Sequence, residues 1–133
     1  MESQGSLPDL QEEEIFYATH LSLREKFNIQ TQIKRCYKKA IEQAGIDGKI
    51  PINVTITIEQ NGNIDLNLLK IKDFEKYHDP KEIDFHIAVD NVISAITICN
   101  PLRNLPTEKY EIWRELNLIF DDDGTVQNII DKQ

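Results

Sequence analysis

Long apolar runs are missing from this chain of 133 residues. No stretch approaches the roughly 20 apolar residues of a membrane-spanning helix. No positively charged start leads into an apolar stretch, so a signal peptide is not expected either. Cysteine is scarce. Cys36 and Cys99 stand far apart, and no Cys-x-x-Cys spacing exists, which excludes the common zinc and redox patterns. Two buried thiols in a cytosolic protein is one reading of the pair. A disulfide is the other, and it requires an oxidising compartment. The three histidines, His20, His78 and His86, share no ligand spacing. Asp121-Asp122-Asp123-Gly124 fails the EF-hand pattern, because the closing glutamate would fall on Ile130. There is no Gly-x-Ser-x-Gly and no glycine-rich phosphate loop. No carboxylate pair stands in an apolar setting that would split its two pKa values. Neither cysteine has a histidine neighbour, and only Lys34 and Arg35 beside Cys36 would favour a thiolate. The expectation is no catalysis, no metal and no cofactor.

A basic excess is also lacking. The net charge is -8. Residues 1–20 hold five acids and no Lys or Arg, and residues 121–133 hold four acids and one Lys. The stretch 21–120 between them balances 14 acids against 14 bases. A nucleic-acid module carries a basic face. Here only Lys34, Arg35, Lys38 and Lys39 cluster, which reads as a solvated helix face. Neither nucleic acid nor a small-molecule substrate is expected.

What is present is one core's worth of patterned sequence, 40% apolar. Residues 1–20 read as an acidic flexible linker, in which Ile15, Phe16 and Tyr17 form a sticky patch able to dock on the domain. Ser22-Leu23-Arg24-Glu25 is a capping-box pattern and predicts a helix from Leu23. Leu23, Phe27, Ile33, Cys36, Tyr37, Ala40, Ile41 and Ala44 recur at helical steps, and Gly45 suits the stop. Ile52, Val54, Ile56 and Ile58 alternate with polar residues, which predicts a half-buried strand. Asn61-Gly62 then signals a hairpin, so strands 51–59 and 63–71 are expected to pair antiparallel, with a bulge or bend near Leu69. Asp79-Pro80 predicts a second helix over 81–98, with Asp79 as its N-cap. Its apolar residues cover much of its circumference, which places it between the sheet and the first helix. Leu116, Leu118 and Phe120 alternate in a third strand, and residues 123–133 read as a tail. The fold expected is α+β, with a three-stranded antiparallel sheet and two main helices packed on one of its faces.

The most specific stretch is Cys99-Asn100-Pro101-Leu102, then Leu105-Pro106, Tyr110 and Trp113, running into Phe120-Asp121. Its prolines stop a helix and aim the chain into a strand. Together with Gln32-Ile33-Lys34-Arg35-Cys36-Tyr37 and Asn61-Gly62-Asn63-Ile64, it resembles the C-terminal domain of the TolA family, in its alphaproteobacterial form. The similarity covers about residues 21–122. Tyr37 stands where that family has Trp, Asn61 where it has Asp, Leu102 where it has Phe, and Asp122 where it has Pro.

The resemblance implies a non-enzymatic periplasmic domain of the Tol–Pal envelope system, carried by a protein anchored in the inner membrane. It implies TolB and Pal as partners, with colicins and phage coat proteins as opportunistic ones. TolQ and TolR would be engaged only through an N-terminal part. It also implies a disulfide between Cys36 and Cys99. Tyr110 and Trp113, where the proline loop enters the last strand, read first as core packing or loop anchors and second as recognition residues. A partner is expected to add a strand to the edge of residues 115–121, beside Trp113, with Glu115, Asn117 and Ile119 in the site. A TonB-like C-terminal domain serving outer-membrane import receptors shares the fold class. A small cytosolic thiol or ligand-binding α+β domain is the reading from another class. A cystatin-like inhibitor shares the opening order of helix and hairpin but not the second helix.

Overall fold

The computed structural model describes residues 20–121 and the backbone of 126–130. The linker expected over residues 1–20, with its Ile15-Phe16-Tyr17 patch, lies outside the described residues but for His20. Helix α1 spans Leu23–Ala44 and starts as its capping box dictates. The Ser22 hydroxyl accepts from the Glu25 amide at 3.0 Å. The Glu25 carboxylate accepts from the Ser22 amide at 2.7 Å. Two amides that the helix leaves orphaned are thereby satisfied. Gly45, at φ 73°, closes the other end by donating its amide to the Ile41 carbonyl. Ile29, Ile33, Tyr37 and Ala40 form the buried stripe. Leu23, Phe27 and Ala44, expected on that stripe, are exposed. The buried row runs 29–33–37–40, and Leu23 and Phe27 project beside it.

Strand β1, Ile52–Thr57, alternates as its sequence dictates, with Ile52, Val54 and Ile56 buried. The hairpin at Asn61-Gly62 forms as well. The Glu59 amide donates to the Asn63 carbonyl, the Gly62 amide to Glu59, and the Asp65 amide to Thr57. The returning strand then breaks. Leu66–Leu68 coil into a 3₁₀ turn, which the Asp65 side chain caps at the Asn67 amide. Pairing resumes only at β2, Lys70–Ile71, where Lys70 faces Thr55 and Ile71 faces Val54. The expected strand over 63–71 is thus a bridge, a 3₁₀ excursion and two paired residues. Leu66 and Leu68 alternate like a strand, but both are exposed.

A second 3₁₀ turn, Phe74–His78, leads to α2, Ile83–Cys99. Asp79 is not its cap. The Asp79 carboxylate accepts from the Lys81 amide, and its carbonyl accepts from Glu82, so Asp79–Glu82 is a turn preceding the helix. The N-cap is Glu82. Helix α2 buries Phe85, Ala88, Val89, Val92, Ala95 and Ile96. Buried Asn91 satisfies its side chain on the Ile46 carbonyl at 2.8 Å. After a third 3₁₀ turn, Thr107–Lys109, comes the one-turn helix α3, Tyr110–Trp113, and then β3, Glu115–Phe120.

The class is α+β. The main helices α1 and α2 pack on each other and on one face of an antiparallel sheet. That face carries Ile52, Val54 and Ile56 of β1 and Leu116, Leu118 and Phe120 of β3. Helix α2 does not separate α1 from the sheet, because Tyr37 of α1 sets its ring edge-on against Phe120 at 4.9 Å. The sheet gains a strand over the expected three. Residues Val126–Ile130, expected as tail, form β4 against β3, and the order is β2-β1-β3-β4. Val126-Gln127-Asn128-Ile129-Ile130 has no clean alternation, so its strand was not legible.

Candidate functional site

The loop after α2 is tied down from four directions. Cys99, the last residue of α2, is bonded to Cys36 of α1, with Cα atoms 5.6 Å apart. No free cysteine remains. Asn100 then acts as an artificial strand partner. Its side-chain oxygen accepts from the Ile64 amide at 2.7 Å, and its side-chain nitrogen donates to the Ile64 carbonyl at 3.3 Å. The Leu102 amide donates to the Gly62 carbonyl at 2.9 Å. Gly62 sits at φ 90°, and a Cβ there would strike the Leu102 carbonyl. Glycine therefore serves both the hairpin turn and this approach. Gln32 of α1 repeats the two-way grip, accepting from the Arg103 amide at 2.9 Å and donating to its carbonyl at 2.8 Å.

Further along, Trp113 is fully buried, lies edge-on to Tyr110 at 4.8 Å, and donates its indole N–H to the Pro106 carbonyl at 2.7 Å. Tyr110 donates its hydroxyl to Ile58 at 2.8 Å. Lys109 is buried, with 1% of its side chain exposed, and its ammonium meets the Glu25 carboxylate at 2.8 Å. Partial burial pushes the Glu25 carboxyl up. The hydrogen bonds from Lys109 and Ser22, with the Lys109 charge, outweigh that push and hold the group below its ordinary value. One glutamate thus closes the capping box of α1 and neutralises a buried lysine near the far end of the chain. The capping box was legible from spacing. Lys109 was not, because nothing local marks a residue whose partner is 84 positions away.

These positions correct the expected binding site. Trp113 is buried and spends its donor on the loop, so it offers no surface beside a strand. Strand β3 is not an edge, since β1 pairs on one side and β4 on the other. Glu115, Asn117 and Ile119 do share a face, the sheet face opposite the core, and all three are half-buried there. Asn117 meets the Thr55 hydroxyl across the strands at 3.4 Å.

The edge strands of the sheet are β2 and β4, and of these β2 is the one whose side chains are described. Lys70 and Lys72 hydrogen-bond toward β1, as the bond from the Lys72 amide to the Asn53 carbonyl shows. By alternation the Ile71 N–H and C=O point outward. Beside them Leu66, Leu69, Ile71, Phe74 and Ile93 line an apolar groove of about 430 Å³, with Lys70 at its rim. Phe74 is held in an aromatic row. It stacks on Tyr77 at 5.1 Å, and Tyr77 stacks on His86 of α2 at 4.2 Å. Asp90 accepts from the Tyr77 hydroxyl at 2.6 Å and meets His86 Nε2 at 3.2 Å. The hydrogen bond to Asp90, then burial and the Asp90 charge, raise the Tyr77 phenol above its ordinary value. The row keeps this 3₁₀ turn against α2, and with it one wall of the groove.

Among the described residues no group of three His, Cys, Asp or Glu side chains is placed to hold a metal ion. None of the described helices is long and apolar enough to cross a membrane. Comparison with protein-family models, with curated proteins and with solved structures finds no match to this chain.

Proposed function

We propose that this chain is a non-enzymatic protein-interaction domain of the periplasm, working in the Tol–Pal type of envelope system with TolB and Pal as partners. The carrying observation is the Cys36–Cys99 bond between α1 and α2. It joins the two cysteines that the TolA-like motifs single out, and an oxidised pair suits an extracytoplasmic compartment. The α+β frame, with its helix pair on one sheet face, is consistent with that reading. The activity is mechanical. The domain holds an outer-membrane-side partner while the protein that carries it is driven from the inner membrane.

Strand addition suits such a task, because backbone hydrogen bonds give direction with little demand on partner side chains. With β3 flanked on both sides, the edge we assign to this role is β2, where the outward Ile71 backbone lies beside the apolar groove. The partner segment would lay alternate apolar side chains into that groove. The test is an amide NMR titration of the oxidised domain with the N-terminal segment of the TolB protein from the same organism. Saturable shifts are expected. A folded, bridged domain that shows none would overturn the assignment to this system.

A further inference from the structure

Leu23 and Phe27 are the most exposed large apolar side chains among the described residues, at 85% and 69%. They stand one helical turn apart, so they form a single patch rather than two isolated contacts with water. With Arg24, Lys26 and Gln30 they border a hollow of about 550 Å³ on the first turns of α1. The rest of α1 sorts its apolar residues conventionally, with Ile29, Ile33, Tyr37 and Ala40 buried. The exposure is therefore local to the end of the helix where the chain enters.

The chain just before that end reads Glu12-Glu13-Glu14-Ile15-Phe16-Tyr17. It carries three consecutive large apolar residues behind three acids, whereas the large aliphatics further upstream, Leu7 and Leu10, stand singly among Ser, Gln, Pro and Asp. We propose that Ile15-Phe16-Tyr17 of the same chain covers the Leu23–Phe27 patch. Three features favour this occupant over a second copy or a partner. The first is reach. Leu21 is buried and pins the entry to α1. The residues from Tyr17 to Leu23 span at most about 20 Å extended, at roughly 3.3–3.6 Å each. A chain that turns back over that length meets the first two turns of α1, where the patch lies. The second is charge. Arg24 is exposed between the two apolar residues, and the N-terminal end of a helix favours negative charge. Glu12, Glu13 and Glu14 would bring acids to both. The third is tethering. A segment held by so short a connection has an effective concentration in the millimolar range, far above that of a second molecule in dilute solution.

The test uses the full chain with its disulfide intact, at a concentration where sedimentation shows a monomer. Nuclear Overhauser contacts from the Ile15 methyls and the Phe16 ring to the Leu23 methyls and Phe27 ring are expected. In the Ile15→Ser/Phe16→Ser variant the Leu23 and Phe27 resonances should move, while those of residues 99–113 stay in place. The latter also report that the domain has kept its fold. Missing contacts together with unmoved Leu23 and Phe27 resonances would overturn the proposal. So would Leu23 and Phe27 resonances that move with protein concentration, which would hand the patch to a second copy. The patch and its cover are independent of the partner proposed for β2.

Discussion

Two stretches of similar length are built in opposite ways. Residues 99–113 are held by contacts between residues far apart in the chain. They include the bond to Cys36, the grips of Asn100 on Ile64 and Gln32 on Arg103, and buried Lys109 on Glu25. Residues 65–82 are held by a short pairing with β1, by Tyr77 against His86 and Asp90 of α2, and otherwise by local turns. Asp65 caps Asn67, Asp79 caps Lys81, and two 3₁₀ turns leave Leu66, Leu68 and Phe74 exposed around a two-residue strand. Residues 99–113 carry the most distinctive motifs of the sequence, yet the side chains of Asn100, Lys109, Tyr110 and Trp113 are spent on the protein itself. Residues 65–82 are ordinary in sequence, yet they offer an outward backbone edge with an apolar groove. The difference separates a motif that builds the domain from a surface that is available to a partner. Stability is expected to follow residues 99–113, and recognition residues 65–82.

The largest effects should come from breaking the tied stretch. Trp113→Ala empties a fully buried site and unties Pro106, and should cost about 3–5 kcal/mol in denaturant unfolding. Removing the cross-link with Cys36→Ser/Cys99→Ser should cost about 2–5 kcal/mol, and loop-length arithmetic puts it near 4. Thermal unfolding with and without reductant reads this directly, and reductant should leave the double variant unchanged. Asn100→Ala leaves the amide and carbonyl of buried Ile64 without their side-chain partner and should cost about 1–3 kcal/mol. If these three variants unfold like the wild type, the contrast between the stretches collapses.

A smaller effect depends on pH. The folded Glu25 carboxyl is held below its ordinary value, so its contribution is full above the unfolded pKa and is lost as pH falls through the folded one. Glu25→Gln should therefore flatten the acid-side decline in stability, measured by denaturant melts from neutral pH downward. A decline as steep as in the wild type would contradict the role given to the Lys109 pair. The smallest effect sharpens the other side of the comparison. Leu66→Ser/Leu68→Ser alters exposed positions and should shift stability by no more than about 0.5 kcal/mol, while weakening the TolB-segment affinity. A large loss of stability would show that this stretch is architectural too.

What was legible depended on how local the signal is. Both ends of α1 followed from Ser22, Glu25 and Gly45, because caps act within a few residues. Strand β1 and the Asn61-Gly62 turn followed from period and turn chemistry. The break at Leu66–Leu68 was only hinted at, since alternating leucines satisfy a strand pattern whether or not a partner strand is in register. Asp79-Pro80 has the residues of a helix start but makes a turn ahead of one. Leu23 and Phe27 fit the helical period, yet which flank of α1 meets the core is decided by the sheet and not by the helix. The candidate site was the least legible part. Whether Trp113 faces water or Pro106, and whether β3 or β2 is open, depends on contacts across long sequence distances and on a fourth strand with no pattern of its own.

The most direct test is amide hydrogen exchange of the oxidised domain, free and with the TolB segment bound. The outward Ile71 N–H is expected to exchange readily in the free domain and to become protected in the complex, while residues 99–113 keep the protection they already have. Unchanged exchange at Ile71, with new protection appearing in 99–113 or along β3, would contradict the assignment of recognition to β2.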